Sequence, residues 1–386
     1  MPAGFWPIWT TVALDLVGFG IVAPILGRYA ERFGAGGLQV GLLFASFSLA
    51  QMVFAPVLGR LSDSIGRKPV IVISLVGTAV GSIVTGAAGA LWVLFLGRIL
   101  DGASGASVAV AQGAIADIAP PEQRARLLGM LGAAFGVGFV LGPAVGGLAA
   151  LGGPHVPFYV AGAVAAINAV AALVRLPETK HSSAAHREVS RTSSPADARS
   201  PVLVRLAVVG FIATLGFSGF EATFSLFGER RFGLTEGSAA LVFLVVGLTL
   251  VVVQGGLIGP LASRTAPAKL ARIGLVLVGL GLVLLALSEQ WTLLIPSMVL
   301  LAVGQGIASP TVTNLVTESA PPDRRGEALG YQQSAGAFAR IVGPLIAGAM
   351  FDHVGVGAPY FLGGALFLLA LAVLPTSVGQ RVEATR

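Results

Sequence analysis

Long apolar runs alternate with short polar segments along the whole chain. An α-helix needs about 20 apolar residues to cross a bilayer, and many of these runs have that length. In the first half they predict six spans, near residues 7–27, 38–58, 70–89, 91–117, 127–150 and 157–175. In the second half they predict six more, near residues 203–227, 238–258, 269–288, 292–316, 328–350 and 358–377. The pattern therefore predicts an all-α integral membrane protein with twelve transmembrane helices.

One polar segment is much longer than the others. Residues 177–200 are rich in Ser, Ala, Arg and Glu and have no apolar period, as is typical of a flexible linker. We therefore predict an N-terminal half of six helices at 1–176, a linker at 177–202 and a C-terminal half of six helices at 203–386.

The two halves carry an internal repeat. Residues 117–129 read DIAPPEQRARLLG and residues 318–330 read ESAPPDRRGEALG, which is an offset of 201 residues. The pair Gly142-Pro143 recurs at the same offset as Gly343-Pro344. Six is an even number, so the two copies have the same orientation, and such parallel repeats place a central site between them. Rocking of one copy against the other exposes that site to each side in turn.

The distribution of charge predicts the orientation of the chain in the membrane and excludes several classes of protein. Only 11% of the residues are charged, against about 25% in soluble domains. Of the 24 Lys and Arg residues, four lie in loops opposite the termini and two lie inside spans, so both termini are predicted to be cytoplasmic. The same asymmetry explains the net charge of +6 without a nucleic-acid partner. The chain has no cysteine, which excludes disulfides and thiolate metal sites.

The loop after the second span has the sequence GRLSDSIGRKP at residues 59–69, and we call it the signature loop. It is a glycine-bounded turn that presents Asp63 against Arg67 and Lys68 at a helix end, where charge pairs and helix dipoles can hold two helices together. It closely resembles the cytoplasmic loop between the second and third helices of the major facilitator superfamily. The predicted conformational latch consists of Gly59, Asp63, Gly66, Arg67 and Asp117.

Three further segments narrow the resemblance. Residues 14–24 (LDLVGFGIVAP), 97–106 (GRILDGASGA) and 138–147 (GFVLGPAVGG) are similar to the drug and proton antiporters with twelve spans, in particular the tetracycline antiporters. The last segment resembles the antiporter signature. Its glycines at intervals of four form a smooth face for a neighbouring helix, and Pro143 bends the span, so packing alone is the alternative explanation. The predicted antiporter motif consists of Gly138, Gly142, Pro143, Gly146 and Gly147.

Ionisable residues inside a bilayer are costly and are therefore functional candidates. Asp15 lies in the first span, and in the tetracycline antiporters an Asp at the matched position contributes to proton-coupled transport. A structural aspartate bonded to a neighbouring helix is the alternative. Arg98 precedes Asp101 by three residues on the same helix face, so an internal ion pair is one interpretation. The resemblance implies the other, in which Arg98 influences protonation of Asp15.

The seventh span combines a carboxylate with aromatic rings. Glu221 lies among Phe217, Phe220, Phe224 and Phe227, a set suited to holding a lipophilic cation. Glu221 is otherwise a second proton site or a locally paired residue. Arg340 in the eleventh span binds an anionic substrate group or pairs with Asp15 or Glu221. The predicted substrate-binding residues are Asp15, Glu221, Phe217, Phe224, Gln254, Asn314 and Arg340, with Asp15, Glu221 and Arg98 as the proton-coupling set.

Some positions depart from the tetracycline pattern. Gly81 stands in the third span where the antiporters carry an aspartate, the ninth span has no acid, and Arg264 replaces the acid in the second copy of the signature loop. The identity of the substrate is therefore left open. We predict a monomeric antiporter in the bacterial cytoplasmic membrane that exports a small lipophilic compound by alternating access. The proton gradient supplies the energy, with no cofactor and no bound metal.

Two other functions are weighed against this one. The first is a uniporter or symporter for a sugar or other small metabolite, which the superfamily also contains. The second is a receptor or scaffold, for which no soluble signalling domain is predicted. Enzymatic activity is not predicted, because the sequence has no nucleotide loop and no paired nucleophile and base.

Overall fold

A computed structural model of the protein describes residues 1–2, 4–179, 200–321 and 325–375. Fourteen α-helices lie within those ranges, and no strand is found among the described residues. The helices are α1 (Phe5–Glu31), α2 (Gly37–Ile65), α3 (Arg67–Gly86), α4 (Leu91–Ser104), α5 (Ser107–Ile118), α6 (Pro121–Ala150), α7 (Val156–Arg175), α8 (Pro201–Phe232), α9 (Glu236–Val252), α10 (Ile258–Arg264), α11 (Pro267–Leu287), α12 (Trp291–Ser319), α13 (Arg325–His353) and α14 (Ala358–Val373).

Ten helical segments of the described chain are long and apolar enough to cross a membrane. Two shorter apolar helices, Gly136–Ala150 and Ala358–Val373, account for the fifth and twelfth predicted spans. The prediction of an all-α membrane protein with twelve spans is thereby confirmed.

The span predicted near 91–117 is confirmed as Leu91–Ile118, and within it the helix is divided into α4 and α5. The break falls at Gly105 and Ala106. The side-chain amide of Gln51 donates a hydrogen bond of 2.8 Å to the carbonyl oxygen of Gly105. A carbonyl freed from the helical ladder thus finds a side-chain donor, as a buried polar group requires.

The eighth span also departs from one regular helix. Between α9 and α10 the chain forms a π-helix at Val253–Leu257. This short π-helical segment places an extra residue in the turn and changes the register of the helix after it. A hydropathy pattern averaged over a whole span contains no signal for such a local change.

The chain separates into two compact units. The first comprises Met1–Ala35, Leu43–Thr192 and Thr235–Leu244, and the second comprises Gly36–Leu42, Ser193–Leu234 and Val245–Arg386. Within the first unit, α1 packs extensively on α6 and α3 packs on α7. Within the second, α8 packs on α13 and α11 packs on α12. The boundaries predicted at 1–176, 177–202 and 203–386 stay a prediction, and most of the linker, residues 180–199, lies outside the described residues.

Candidate transport site

Asp15 is held by a residue that the break in the fourth span presents. The hydroxyl of Ser107 donates a hydrogen bond to Oδ2 of Asp15. Ser107 is buried and is the first residue of α5, so the positive end of the α5 dipole lies beside the carboxyl group. Ser107 does not stand out in the sequence, because a serine in an apolar run is ordinary. The only signal was the glycine-rich stretch GASGA before it.

Arg98 and Asp101 form an ion pair inside the first unit. Nη1 of Arg98 lies 2.8 Å from Oδ2 of Asp101, and only 2% of Arg98 is exposed. The guanidinium also lies over the ring of Phe47, 4.2 Å from its centroid, and the hydroxyl of Thr78 bonds to the Asp101 carboxylate. The carboxyl groups of Asp101 and Asp15 are close enough to interact electrostatically. Asp15, Asp101 and Arg98 therefore form one charged cluster, in which Arg98 pairs directly with Asp101.

The absence of an acid at Gly81 has a steric reason. A Cβ atom at this position would lie 2.7 Å from the backbone nitrogen of Asp101 and 2.9 Å from the carbonyl oxygen of Gly97. Such distances leave no space for an aspartate on α3. The carboxylate in this part of the unit is supplied by Asp101 on α4.

The glycine face of α6 packs on α1 directly after Asp15. A Cβ atom at Gly142 would lie 2.5 Å from Cα of Gly20 and 2.9 Å from the nitrogen of Ile21. A Cβ atom at Gly138 would lie 2.7 Å from backbone atoms of Leu16. These glycines let the two helix backbones touch, as predicted for the smooth face. The antiporter motif thus fixes the helical turn that follows Asp15.

Arg67 connects three polar groups at the signature loop. Its guanidinium lies 2.7 Å from Oδ1 of Asp63 and 2.9 Å from Oδ2 of Asp117, and it donates a hydrogen bond of 2.6 Å to the Ser62 hydroxyl. Gly66 adopts a φ of 110°, a conformation that favours glycine. The predicted latch residues Asp63, Arg67 and Asp117 are therefore brought together in the first unit.

Glu178, at the start of the predicted linker, has a defined contact. Its carboxylate accepts hydrogen bonds from the backbone N–H groups of Arg67 at 2.9 Å and Lys68 at 3.3 Å. It therefore caps the N-terminus of α3, where the N-cap residue Gly66 has no side chain to do so. The sequence alone gave no reason to place Glu178 on this helix.

The two predicted charged site residues of the second unit, Glu221 and Arg340, interact with each other. Arg340 on α13 and Glu221 on α8 interact electrostatically, and both are half-buried. Of the partners considered for Arg340, the structure brings Glu221 near. The unit therefore carries one cationic and one anionic side chain together.

The phenylalanines beside Glu221 differ in exposure. Phe224 and Phe227 are fully buried, and Phe220 and Phe227 contact the ring of Tyr360 on α14. Phe217 is half-buried and contacts Phe220 with ring centroids 5.6 Å apart. Phe224 thus lies in the packed interior of the second unit, whereas Phe217 keeps an exposed surface.

Two predicted polar residues have distinct positions. Gln254 is half-buried and lies in the π-helical segment, a type of local distortion that is frequent at functional sites. The amide of Asn314 donates a hydrogen bond of 2.8 Å to the carboxylate of Glu318, one turn later on α12.

We expect Ser107→Ala to reduce proton-coupled transport about tenfold, the size expected for loss of one hydrogen bond to a charged group. The Ser107→Thr variant keeps the hydroxyl and should retain most of the activity. Transport of a fluorescent lipophilic cation into energised membrane vesicles measures both. Full activity of Ser107→Ala would show that the hydrogen bond to Asp15 has no part in transport.

Nearly the whole chain is similar to known membrane proteins. The model of the Major Facilitator Superfamily matches residues 8–339 and 255–385. The tetracycline resistance protein, class E, of Escherichia coli is 33% identical over 376 residues, which cover 94% of this chain and 92% of that protein. The quinolone resistance protein NorA of Staphylococcus aureus is 27% identical over 369 residues, which cover 95% of this chain and 94% of that protein. The crystal structure of the human organic anion transporter MFSD10 superposes with a TM-score of 0.72 at 24% identity, covering 97% of this chain and all of that chain.

Ten long and two shorter apolar helices in the described chain, together with the match to the family model, define a multi-pass membrane transporter. The chain belongs to the major facilitator superfamily. The resemblance seen in the signature loop and the first, fourth and fifth spans is confirmed.

Proposed function

We propose that this protein is a proton-coupled antiporter that exports a small lipophilic drug-like compound by alternating access. The observation that carries the proposal is the cluster around Asp15. Its carboxyl group lies among apolar helices, accepts a bond from Ser107 and interacts with the Arg98–Asp101 pair. A carboxyl group in such a place can take up and release a proton as the surrounding water changes, which a coupled transporter requires.

The names of the relatives support export of a drug over uptake of a sugar. Six tetracycline resistance proteins, NorA and a multidrug resistance protein of Bacillus subtilis match nearly the full length of the chain. Resistance to a drug by a membrane transporter is most directly obtained by export. The bacterial sources of these relatives also support a cytoplasmic membrane location. The excess of Lys and Arg in the loops on the side of the termini supports a cytoplasmic position for both termini.

The mechanism follows from the separate positions of the charges. Asp15 holds or releases the proton in the first unit, while Arg98 stays paired with Asp101 and keeps a positive charge near the site. Glu221, Arg340 and the exposed part of Phe217 in the second unit bind the substrate through charge and aromatic surface. Protonation of Asp15 and binding of the substrate are coupled because each favours a different state of the alternating-access cycle.

The test uses proteoliposomes that hold a preset proton gradient and a pH-sensitive dye inside. Addition of a transported compound should collapse part of the gradient only when the protein is present. Compounds are chosen by a susceptibility panel in an efflux-deficient bacterial host. Substrate movement at a normal rate with no change in internal pH would contradict antiport, and growth protection by no drug would contradict export.

A further inference from the structure

The N-terminus of α2 is capped by a carboxylate 315 residues away in sequence. The backbone N–H groups of Gly37 and Leu38 donate hydrogen bonds to Oδ1 and Oδ2 of Asp352, each 2.8 Å long. Asp352 lies in the last turn of α13. All three residues belong to the second unit, although α2 continues from Leu43 into the first unit.

Helix α2 has no complete cap of its own. Gly36 precedes its first residue and has no side chain that can accept a bond from the first turn. The side chain of Gln39 bonds back to the N–H of Gly36, which is only half of a capping box. The first backbone amides of a helix have no partner within the helix. In α2 two of them donate to Asp352 instead of to a local cap.

The corresponding helix of the second half is capped locally. At the start of α9 the Ser238 hydroxyl accepts a bond of 2.8 Å from the N–H of Thr235, and the Thr235 hydroxyl accepts one of 3.2 Å from the N–H of Ser238. At the repeat offset of 201 residues, Asp352 corresponds to Leu151, which cannot accept a hydrogen bond. Of these two corresponding helices, α2 is the one capped by a distant carboxylate, in the same manner as Glu178 caps α3.

The backbones of α2 and α13 touch beside this cap. A Cβ atom at Gly41 would collide with the carbonyl group of Pro344, and one at Gly348 would collide with that of Gly37. A Cβ atom at Gly37 would lie 3.1 Å from the ring of Phe351. Glycine on both helices thus allows the close approach that brings the Asp352 carboxylate onto the α2 amides.

We propose that Asp352 is a positioning residue for the transport cycle, a latch that holds the start of α2 on the end of α13. This end of α2 is opposite the signature loop, where the Arg67 cluster holds the other end of the helix. The proposal rests on the alternating-access part of the proposed function, since α2 must leave α13 for this side to open. A bidentate carboxylate on two amides is strong enough to favour the joined state and weak enough to release.

The absence of cysteine from the chain permits a direct test. Val40 in the first turns of α2 is fully buried, and Val40→Cys is a small change. The purified Val40→Cys protein is treated with a maleimide probe, and the rate of labelling reports how often this end of α2 separates. Adding Asp352→Ala should raise the rate between about 2-fold and 30-fold, the range set by the loss of a helix cap. Asp352→Asn keeps one acceptor oxygen and should give an intermediate rate.

Two further variants separate a latch from simple support of the helix. His353→Ala removes the neighbouring exposed side chain and should leave the rate unchanged. Gly36→Ser added to Asp352→Ala gives α2 a local cap like that of Thr235 but restores no link to α13, so labelling should stay fast. An unchanged rate in Asp352→Ala would overturn the proposal, and so would a return to the original rate on addition of Gly36→Ser. The assay needs neither substrate nor proton gradient, so its outcome is independent of the test of antiport.

Discussion

We expect the Asp15→Asn variant to lose all proton movement linked to substrate transport while the protein stays folded. The asparagine has the same shape and its side-chain oxygen can still accept the bond from Ser107, so the contact between α1 and α5 survives. It cannot exchange a proton. Substrate added to proteoliposomes containing this variant should change internal pH no more than in liposomes without protein, and accumulation against a gradient should stop.

Glu289→Gln is the matched control. Glu289 is 79% exposed and pairs with Arg231 at 3.3 Å, far in sequence from the site, so the same change of carboxylate to amide should leave coupling intact. Glu221→Gln is measured beside it, because Glu221 is the other candidate for the proton. Normal coupling in Asp15→Asn together with its loss in Glu221→Gln would move the proton site to the second unit. Normal coupling in both variants would contradict both assignments.

The overall fold could be predicted because hydropathy acts on the scale of a whole span. Twenty apolar residues exclude other structures in a bilayer, since every backbone group must be bonded within the segment. The breaks inside spans follow a different physics. At the division, Gly105 accepts a hydrogen bond from Gln51 on another helix, and the π-helical segment at Gln254 is only five residues long. Neither feature is visible in a hydropathy average over one span.

The candidate site was predictable to the extent that charge alone marks it. Asp15, Arg98, Glu221 and Arg340 stand out because charged residues are rare in these spans. Their partners do not stand out. Ser107 is one hydroxyl among many, and Glu178 lies in a polar segment typical of a linker, yet both make contacts with distant helices.

For the aromatic residues, the sequence marks the candidates but does not show which of them are exposed. Phe217 and Phe224 belong to the same cluster in sequence, and both were predicted to contact substrate. In the folded unit Phe224 is completely buried and Phe217 is partly exposed. Tertiary packing decides which side of a helix faces a neighbour in its own unit. The sequence of a span that is apolar on all sides does not reveal that side.

The same packing makes a second large effect predictable. We expect Gly142→Ala to destabilise the protein by about 1 to 3 kcal/mol, the usual cost of overpacking, and to reduce transport in proportion. The added methyl group would lie 2.5 Å from Cα of Gly20 and must push α6 away from α1. This displacement moves the turn of α1 that follows Asp15. The reverse clash in Gly20→Ala, against the backbone of Gly138 and Gly142, should have a similar effect.

Gly18→Ala is the control for this prediction, because it adds the same methyl group to α1 two residues before Gly20. Nothing lies within 4 Å of a Cβ atom at Gly18, and alanine favours a helix more than glycine does, so the melting temperature of this variant should be at least that of the original protein. Thermal unfolding of the purified variants measures the stabilities, and proton movement in proteoliposomes measures the activities. If Gly142→Ala unfolds at the same temperature as Gly18→Ala, close contact between α1 and α6 is not what the antiporter motif provides. If stability falls but coupling per folded molecule is unchanged, the glycines serve packing alone and do not position Asp15.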